Sequence, residues 1–240
     1  MYTNCFEIGK EDPPLFSVVY DIERQGKILC DKLHQDEFYK NGNFSVLAVS
    51  QGSVIAKYII EYCPFETPIR NLVTLGGPNM GVSAYPHYPR EHLLGYFMTY
   101  IIDAFIYLDI AQRIIAPADY WYDPTHRDRY LKYSSFLARA NNEVDFSQER
   151  KDAWLDLNYC LFVKWANDTT IIPRESSWWG QYTEDWNIVS RFDTEVYQKD
   201  LIGTRTLEEQ GRAEFATIIG DHMENIIINL NDTIIPALVR

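Results

Sequence analysis

The 240 residues hold 34 Asp and Glu against 22 Lys and Arg, a net charge of -12, and that acidic excess argues against a nucleic-acid partner, whose phosphates need Lys and Arg to neutralise them. Hydrophobic residues at 46% and aromatics at 15% suffice for a sizeable core, and no linker or repeat breaks the composition, so one domain over 1–240 is expected. Four cysteines with neither a CxxC pair nor zinc-type His/Cys spacing predict no metal and no cofactor.

In chain order, Met1 runs into Tyr-Thr-Asn-Cys-Phe-Glu-Ile-Gly, without the basic start and apolar stretch of a signal peptide. A short segment at residues 5–8 precedes a predicted helix over 17–33. Residues 44–49 form an apolar, β-prone run, and 53–62 carry apolar residues at helical spacing, which together read as strand, tight turn, helix. A second strand over 71–75 closes on Gly76-Gly77-Pro78. That glycine-rich turn lacks the Lys-Ser/Thr ending of a nucleotide cradle.

A helical insertion is expected over about 90–140. Its most apolar stretch, 93–115, is interrupted by Asp103, Asp109, Gln112 and Arg113 and fails as a transmembrane segment, which needs roughly 20 predominantly apolar residues. Strand character returns over 158–165 and over 214–219. Gly220-Asp221-His222 follows, and then a terminal helix from about 223 to 230. The alternation predicts an α/β fold, a mostly parallel sheet with helices on both faces.

Ala48-Val49-Ser50-Gln51-Gly52 occupies the first strand-to-helix turn, where a serine on a strained elbow projects its hydroxyl above the sheet edge. The pattern departs from Gly-x-Ser-x-Gly at Ala48, whose methyl is small. A serine hydroxyl needs a base, and the base an orienting carboxylate, in the chain order Ser, Asp/Glu, His. Of the five histidines, His34 precedes the serine, His87 and His92 lie where the insertion begins, and His126 sits in a polar turn, whereas His222 follows a late strand. Asp168 follows the strand ending at residue 165 and is the carboxylate of choice, with Asp185 and Asp193 as positional competitors and Asp221 read as a turn residue. The Gln51 backbone N–H, in the first turn of the helix, is the predicted oxyanion donor.

With these residues in place, the chain resembles the palmitoyl-protein thioesterases, of the lysosomal first type, over nearly its whole length. The likeness rests on Leu-Ala-Val-Ser-Gln-Gly at 47–52, Tyr-Cys-Pro at 62–64, Asn-Leu-Val-Thr-Leu-Gly-Gly at 71–77, Ala-Asp-Tyr-Trp-Tyr-Asp-Pro at 118–124, Asn-Asp-Thr-Thr-Ile-Ile-Pro at 167–173 and Gly-Asp-His at 220–222. The resemblance implies an α/β-hydrolase fold and a Ser50, Asp168, His222 triad. It implies substrates that are S-acylated proteins or peptides and long-chain acyl thioesters. It also implies a disulfide between Cys30 and Cys63, a glycan at Asn167, and lysosomal or secreted delivery. Asn-x-Ser/Thr sequons also occur at Asn43 and Asn231. Family members open with a signal peptide, a first strand and a His-Gly oxyanion loop, so this chain reads as amino-terminally truncated.

For the acyl chain, the stripe Leu94, Phe97, Met98, Ile101, Phe105 and Leu108 offers an apolar groove, with packing on the core as the alternative. The triad chemistry alone fits an oxygen-ester lipase equally, and the absent amino-terminal elements leave open a non-catalytic relative.

Overall fold

The computed structural model describes residues 2–9, 18–84, 86 and 93–240, without the side chains of 96–98. Its framework is four parallel strands, β1 (Val46–Val49), β2 (Asn71–Leu75), β3 (Tyr159–Trp165) and β6 (Ala213–Ile218), ordered β1-β2-β3-β6. A small antiparallel hairpin of β4 (Gln181–Tyr182) and β5 (Ile188–Val189) stands apart from it. Strands covered on both faces read as continuous apolar runs, and β2 is buried at all five positions.

Successive side chains divide between two cores, as the period of two demands. Leu72, Cys160 and Phe162 join a cluster with Ile59 and Ile60 of the helix Gly52–Tyr62. Val73, Leu75, Leu161 and Val163 join another with Ile234 and Ala237 of the carboxy-terminal helical run. Helices therefore cover both faces, which is the α/β-hydrolase arrangement.

Helix α1 (Ile22–Gln35) starts later than residue 17, because Asp21 caps it by accepting from the Arg24 N–H at 2.8 Å. Asp is among the favoured N-cap residues, so this boundary was available to sequence reasoning. Helix α2 (Gly52–Tyr62) lies against α1, and Gly26 lets them close: a Cβ there would fall 2.3 Å from the Tyr58 ring. A disulfide from Cys30 to Cys63 joins α1 to the end of α2. Residues 5–8 form no strand, and β1 is the sheet edge, with Leu47 42% exposed.

Between β2 and β3 come α3 (Leu93–Phe105), then helices Asp109–Ile114, Ala116–Asp119, Arg127–Tyr133 and Leu137–Ala140. The terminal helix starts at Ile226 rather than 223, since Met223 and Asn225 hold left-handed φ of 67° and 58°, which a helix excludes. It continues past 230, through a π turn at Leu230–Ile234, to Val239. No helix among the described residues is long and apolar enough to cross a membrane.

Beneath α2 lies a buried polar cluster. Lys57 donates to the Asn79 carbonyl at 3.0 Å and to Asn141 Oδ1, with its ammonium 4.1 Å from the Trp179 ring centroid. One turn on, Glu61 accepts from Trp154 Nε1 at 2.8 Å. Burial pushes Glu61 up to about 8, against the pull of Lys57, and lowers Lys57 to about 7. Burial also raises Asp119 to about 7.

Raised carboxyls keep in the fold protons that the unfolded chain releases above its ordinary carboxyl range, so stability falls as pH rises towards their folded values. Lys57 acts oppositely, but only between about 7 and its ordinary value of 10.5, where the unfolded chain holds the extra proton. The carboxyls lowered in the fold, Asp200, Glu195 and Glu214, lose their contribution only below the ordinary carboxyl range. Between pH 5 and 7 the raised carboxyls Glu61 and Asp119 act in this direction. The thermal midpoint is therefore expected to be higher at pH 5 than at pH 7, and Glu61→Gln is expected to flatten that slope in calorimetry. A midpoint rising from pH 5 to 7 in the unsubstituted chain contradicts the assignment.

Candidate active site

Ser50 follows the end of β1 with φ at +54°, the left-handed region that a non-glycine residue enters at a cost of about 1 to 3 kcal/mol. Two bonds hold it there: its N–H donates to Leu75 O at 2.8 Å, continuing the β1–β2 ladder, and its carbonyl accepts from Ser53 N at 2.9 Å as α2 begins. The side chain is thereby turned off the sheet edge. Small size is not required everywhere in the turn. Ala48 is buried at 6% exposure, but a Cβ on Gly52 would meet nothing within 4 Å.

Ser50 Oγ lies 2.9 Å from His222 Nε2, and His222 Nδ1 lies 2.8 Å from Asp168 Oδ2. An ionised carboxylate only accepts, so the ring proton belongs on Nδ1 and Nε2 is left to accept the serine hydroxyl. The Asp168 side chain is fully buried and His222 is 10% exposed. The other Asp168 oxygen accepts from the N–H groups of Thr170 and Ile171, both at 2.9 Å, so one residue caps its own loop while holding the imidazole.

The His222 ring is also fixed from its flank. Trp165, the last residue of β3, packs against it with ring centroids 5.0 Å apart and donates from Nε1 to Glu224 O at 2.8 Å. Gly76 leaves room for both: a Cβ there would sit 2.4 Å from Trp165 and 3.0 Å from His222. Asp221 accepts from the N–H groups of His222 at 2.7 Å and Thr169 at 2.8 Å, stapling the histidine loop to the Asp168 loop.

The competitors are elsewhere. Asp185 is exposed, and Asp193 accepts from Ser190 Oγ at 2.8 Å. His34 bonds Pro64 O, and His126 bonds Asp123. His87 and His92 lie outside the described residues.

Gln51, in right-handed conformation, caps α2 with its backbone N–H in the first turn. Its side-chain carbonyl accepts from the Tyr120 hydroxyl at 2.9 Å, a partner that local sequence patterns do not reveal. Of the apolar stripe, Leu94, Ile101, Phe105 and Leu108 are 55%, 53%, 60% and 49% exposed. They neither pack into the core nor line the cavity between Ile60, Phe65 and Ala153. Phe97 and Met98 side chains lie outside the described residues. The cluster Cys30, His34, Cys63 has metal-like spacing, but the disulfide occupies both sulfurs. Sequon residues Asn43, Asn167 and Asn231 are exposed.

The model of the palmitoyl protein thioesterase family matches residues 1–222. The sequence is 32% identical over 205 residues to palmitoyl-protein thioesterase 1 of Caenorhabditis elegans, spanning 83% of this chain and 68% of that protein. It is 27% identical over 216 residues to the lysosomal thioesterase PPT2-B of Xenopus laevis, spanning 86% and 69%. Among solved structures, the mature lipase BlEst2 of Bacillus licheniformis aligns at a TM-score of 0.35 and 14% identity, over 62% of this chain and 50% of that one.

Because Asp168 satisfies two backbone donors besides the imidazole, Asp168→Ala is expected to cost about 2 to 3 kcal/mol in urea denaturation. Asp168→Asn keeps an acceptor for the loop and should cost under about 1 kcal/mol. Equal losses in the two variants would show that the loop bonds are not what the carboxylate stabilises.

Proposed function

The chain belongs to the palmitoyl protein thioesterase family, and from that premise we propose that it hydrolyses long-chain acyl thioesters on protein cysteines, with Ser50 as nucleophile. The observation that carries this reading is the unbroken line of 2.9 and 2.8 Å contacts from Ser50 through His222 to Asp168.

In this mechanism Ser50 Oγ attacks the thioester carbonyl as His222 Nε2 takes its proton, and Asp168 stabilises the imidazolium that forms. Negative charge gathers on the former carbonyl oxygen, where the Gln51 N–H donates to it; one such donor is worth about 3 to 4 kcal/mol in the transition state. Collapse breaks the C–S bond, and His222 returns its proton to the departing sulfur. Water, deprotonated in turn by His222, releases the fatty acid and restores Ser50. The half-exposed Leu94, Ile101, Phe105 and Leu108 supply apolar surface for an acyl chain, each buried methylene contributing about 0.8 kcal/mol.

The same reading extends to place and modification. A relative is named a lysosomal thioesterase, Asn167 and Asn231 are exposed sequon residues, and the raised carboxyls of Glu61 and Asp119 favour a fold kept at mildly acidic pH. We propose a lysosomal, glycosylated enzyme acting on acylated proteins.

A fluorophosphonate probe is expected to label Ser50 in the intact chain and to leave Ser50→Ala unlabelled. Ser50→Ala should lower kcat on a palmitoyl thioester by at least about 10³-fold, and Asp168→Asn by on the order of 10⁴-fold at neutral pH. Equal labelling of both chains would overturn the nucleophile, and faster hydrolysis of the matched palmitoyl oxygen ester would overturn the thioester preference.

A further inference from the structure

We propose that Tyr120 is a positioning residue for the oxyanion site, acting through the side chain of Gln51. The inference rests on the hydrolase reading above and assigns a role to two side chains that the proton relay does not use. The Tyr120 hydroxyl donates to Gln51 Oε1 at 2.9 Å, and Gln51 Nε2 faces Gln25 Oε1 of α1 at 3.4 Å. Gln25 is itself anchored, donating from Nε2 to the Tyr20 carbonyl. Gln51 is thus gripped at the far end of its side chain from two directions. Its own backbone N–H is the group that must point at the developing oxyanion.

A primary amide suits this post because it accepts and donates at once. Tyr120 suits it because the phenol is 8% exposed as a residue and stays a donor, burial and the nearby Asp119 holding its pKa well above the ordinary value. The backbone around Tyr120 is fixed to the loop leaving β2: Val82 N donates to Tyr120 O at 2.9 Å and Tyr122 N donates to Val82 O at 2.8 Å. That loop begins at Gly76, which packs against the imidazole. The Tyr120 hydroxyl thus connects the insertion to Gln51, and the following Trp121 ties it onward to α3 by donating to Asp103 Oδ1 at 2.8 Å.

The mechanical consequence concerns the backbone. Residue 51 joins a left-handed Ser50 to a right-handed helix, and the peptide that carries its N–H is held on the main-chain side by the Ser53 N–H bonded to Ser50 O at 2.9 Å. The side-chain clamp adds a second hold on the same residue before substrate arrives, which is preorganisation of a donor towards charge that develops only in the transition state. Loss of the clamp should therefore lower kcat and leave substrate binding intact.

The test compares the unsubstituted chain with Tyr120→Phe, Gln51→Leu and the double variant, using a palmitoyl thioester of a short cysteine peptide. Each single variant is expected to lower kcat about 10-fold with KM within about twofold, and to weaken binding of a palmitoyl trifluoromethyl ketone, which mimics the tetrahedral oxyanion, by a similar factor. The double variant should match Gln51→Leu, because that substitution already removes the Tyr120 contact together with the Gln25 one. Multiplying losses in the double variant, or a raised KM at unchanged kcat, would overturn the positioning role while leaving the hydrolase reading standing. Should Tyr120→Phe not fold, Gln51→Leu decides alone: wild-type kcat and ketone affinity in that variant refute the clamp. Absence of turnover and of Ser50 labelling in the unsubstituted chain would sink the hydrolase reading and this inference with it.

Discussion

The arrangement of the site depends on one backbone residue held where it does not want to be. Ser50 sits at φ +54°, and an isolated residue would relax out of that conformation at a gain of about 1 to 3 kcal/mol. It stays because its N–H completes the ladder to β2 while its carbonyl starts α2. Relaxing the dihedral would break one or the other. Sheet and helix thus over-determine the elbow, and the hydroxyl is presented to His222 as a by-product of regular hydrogen bonding on either side.

Regular hydrogen bonding does not, however, fix where α2 lies relative to the loop that carries Gly76. That task falls to the buried cluster of Lys57, Asn79 and Asn141. Asn79 O accepts from both Lys57 Nζ at 3.0 Å and Asn141 Nδ2 at 3.1 Å, while Asn79 Nδ2 donates to Ser177 O at 3.0 Å. A buried ammonium is expensive unless its donors are met, and here acceptors come from two separate segments, Asn79 O and Asn141 Oδ1, with the Trp179 ring alongside. The cluster specifies one packing of α2, the post-β2 loop and the end of the insertion, and its titration couples that packing to pH.

The α/β class was legible because parallel strands buried on both faces must be apolar throughout; residues 71–75 read as a strand and form one, and the helix after Ser50 starts one residue earlier than expected and ends where expected. Caps and breaks are less legible: Asp21 is a favoured capping residue inside the predicted span 17–33, and the left-handed Met223 carries no sequence signal of its kind. Chain order leaves Asp168, Asp185 and Asp193 as candidate carboxylates between Ser50 and His222, and in the fold it is Asp168 that lies within hydrogen-bonding distance of His222, which in turn reaches Ser50. The contacts that steady them were beyond reach. Tyr120 and Gln51 are 69 residues apart, and Lys57 and Asn141 are 84 apart, separations at which no periodicity operates. The stripe on α3 shows the opposite failure: its spacing is helical, but periodicity alone does not say whether an apolar face meets the core, a groove or solvent.

Why the carboxylate beside the imidazole comes from residue 168, when Asp221 is adjacent in the chain, follows from hydrogen-bond geometry. Asp221 Oδ1 is already engaged by the N–H of its own neighbour His222 and by Thr169 N, and Oδ2 by Thr169 Oγ1. A carboxylate bonded to the backbone of the next residue is held beside that backbone, and turning to Nδ1 of the ring would require giving up those bonds. Asp168, arriving from a neighbouring strand end, meets Nδ1 at 2.8 Å with its second oxygen still free to cap its own loop. The two acids therefore divide the work: Asp221 locks the histidine loop onto the Asp168 loop, and that lock sets the distance at which Asp168 orients the ring.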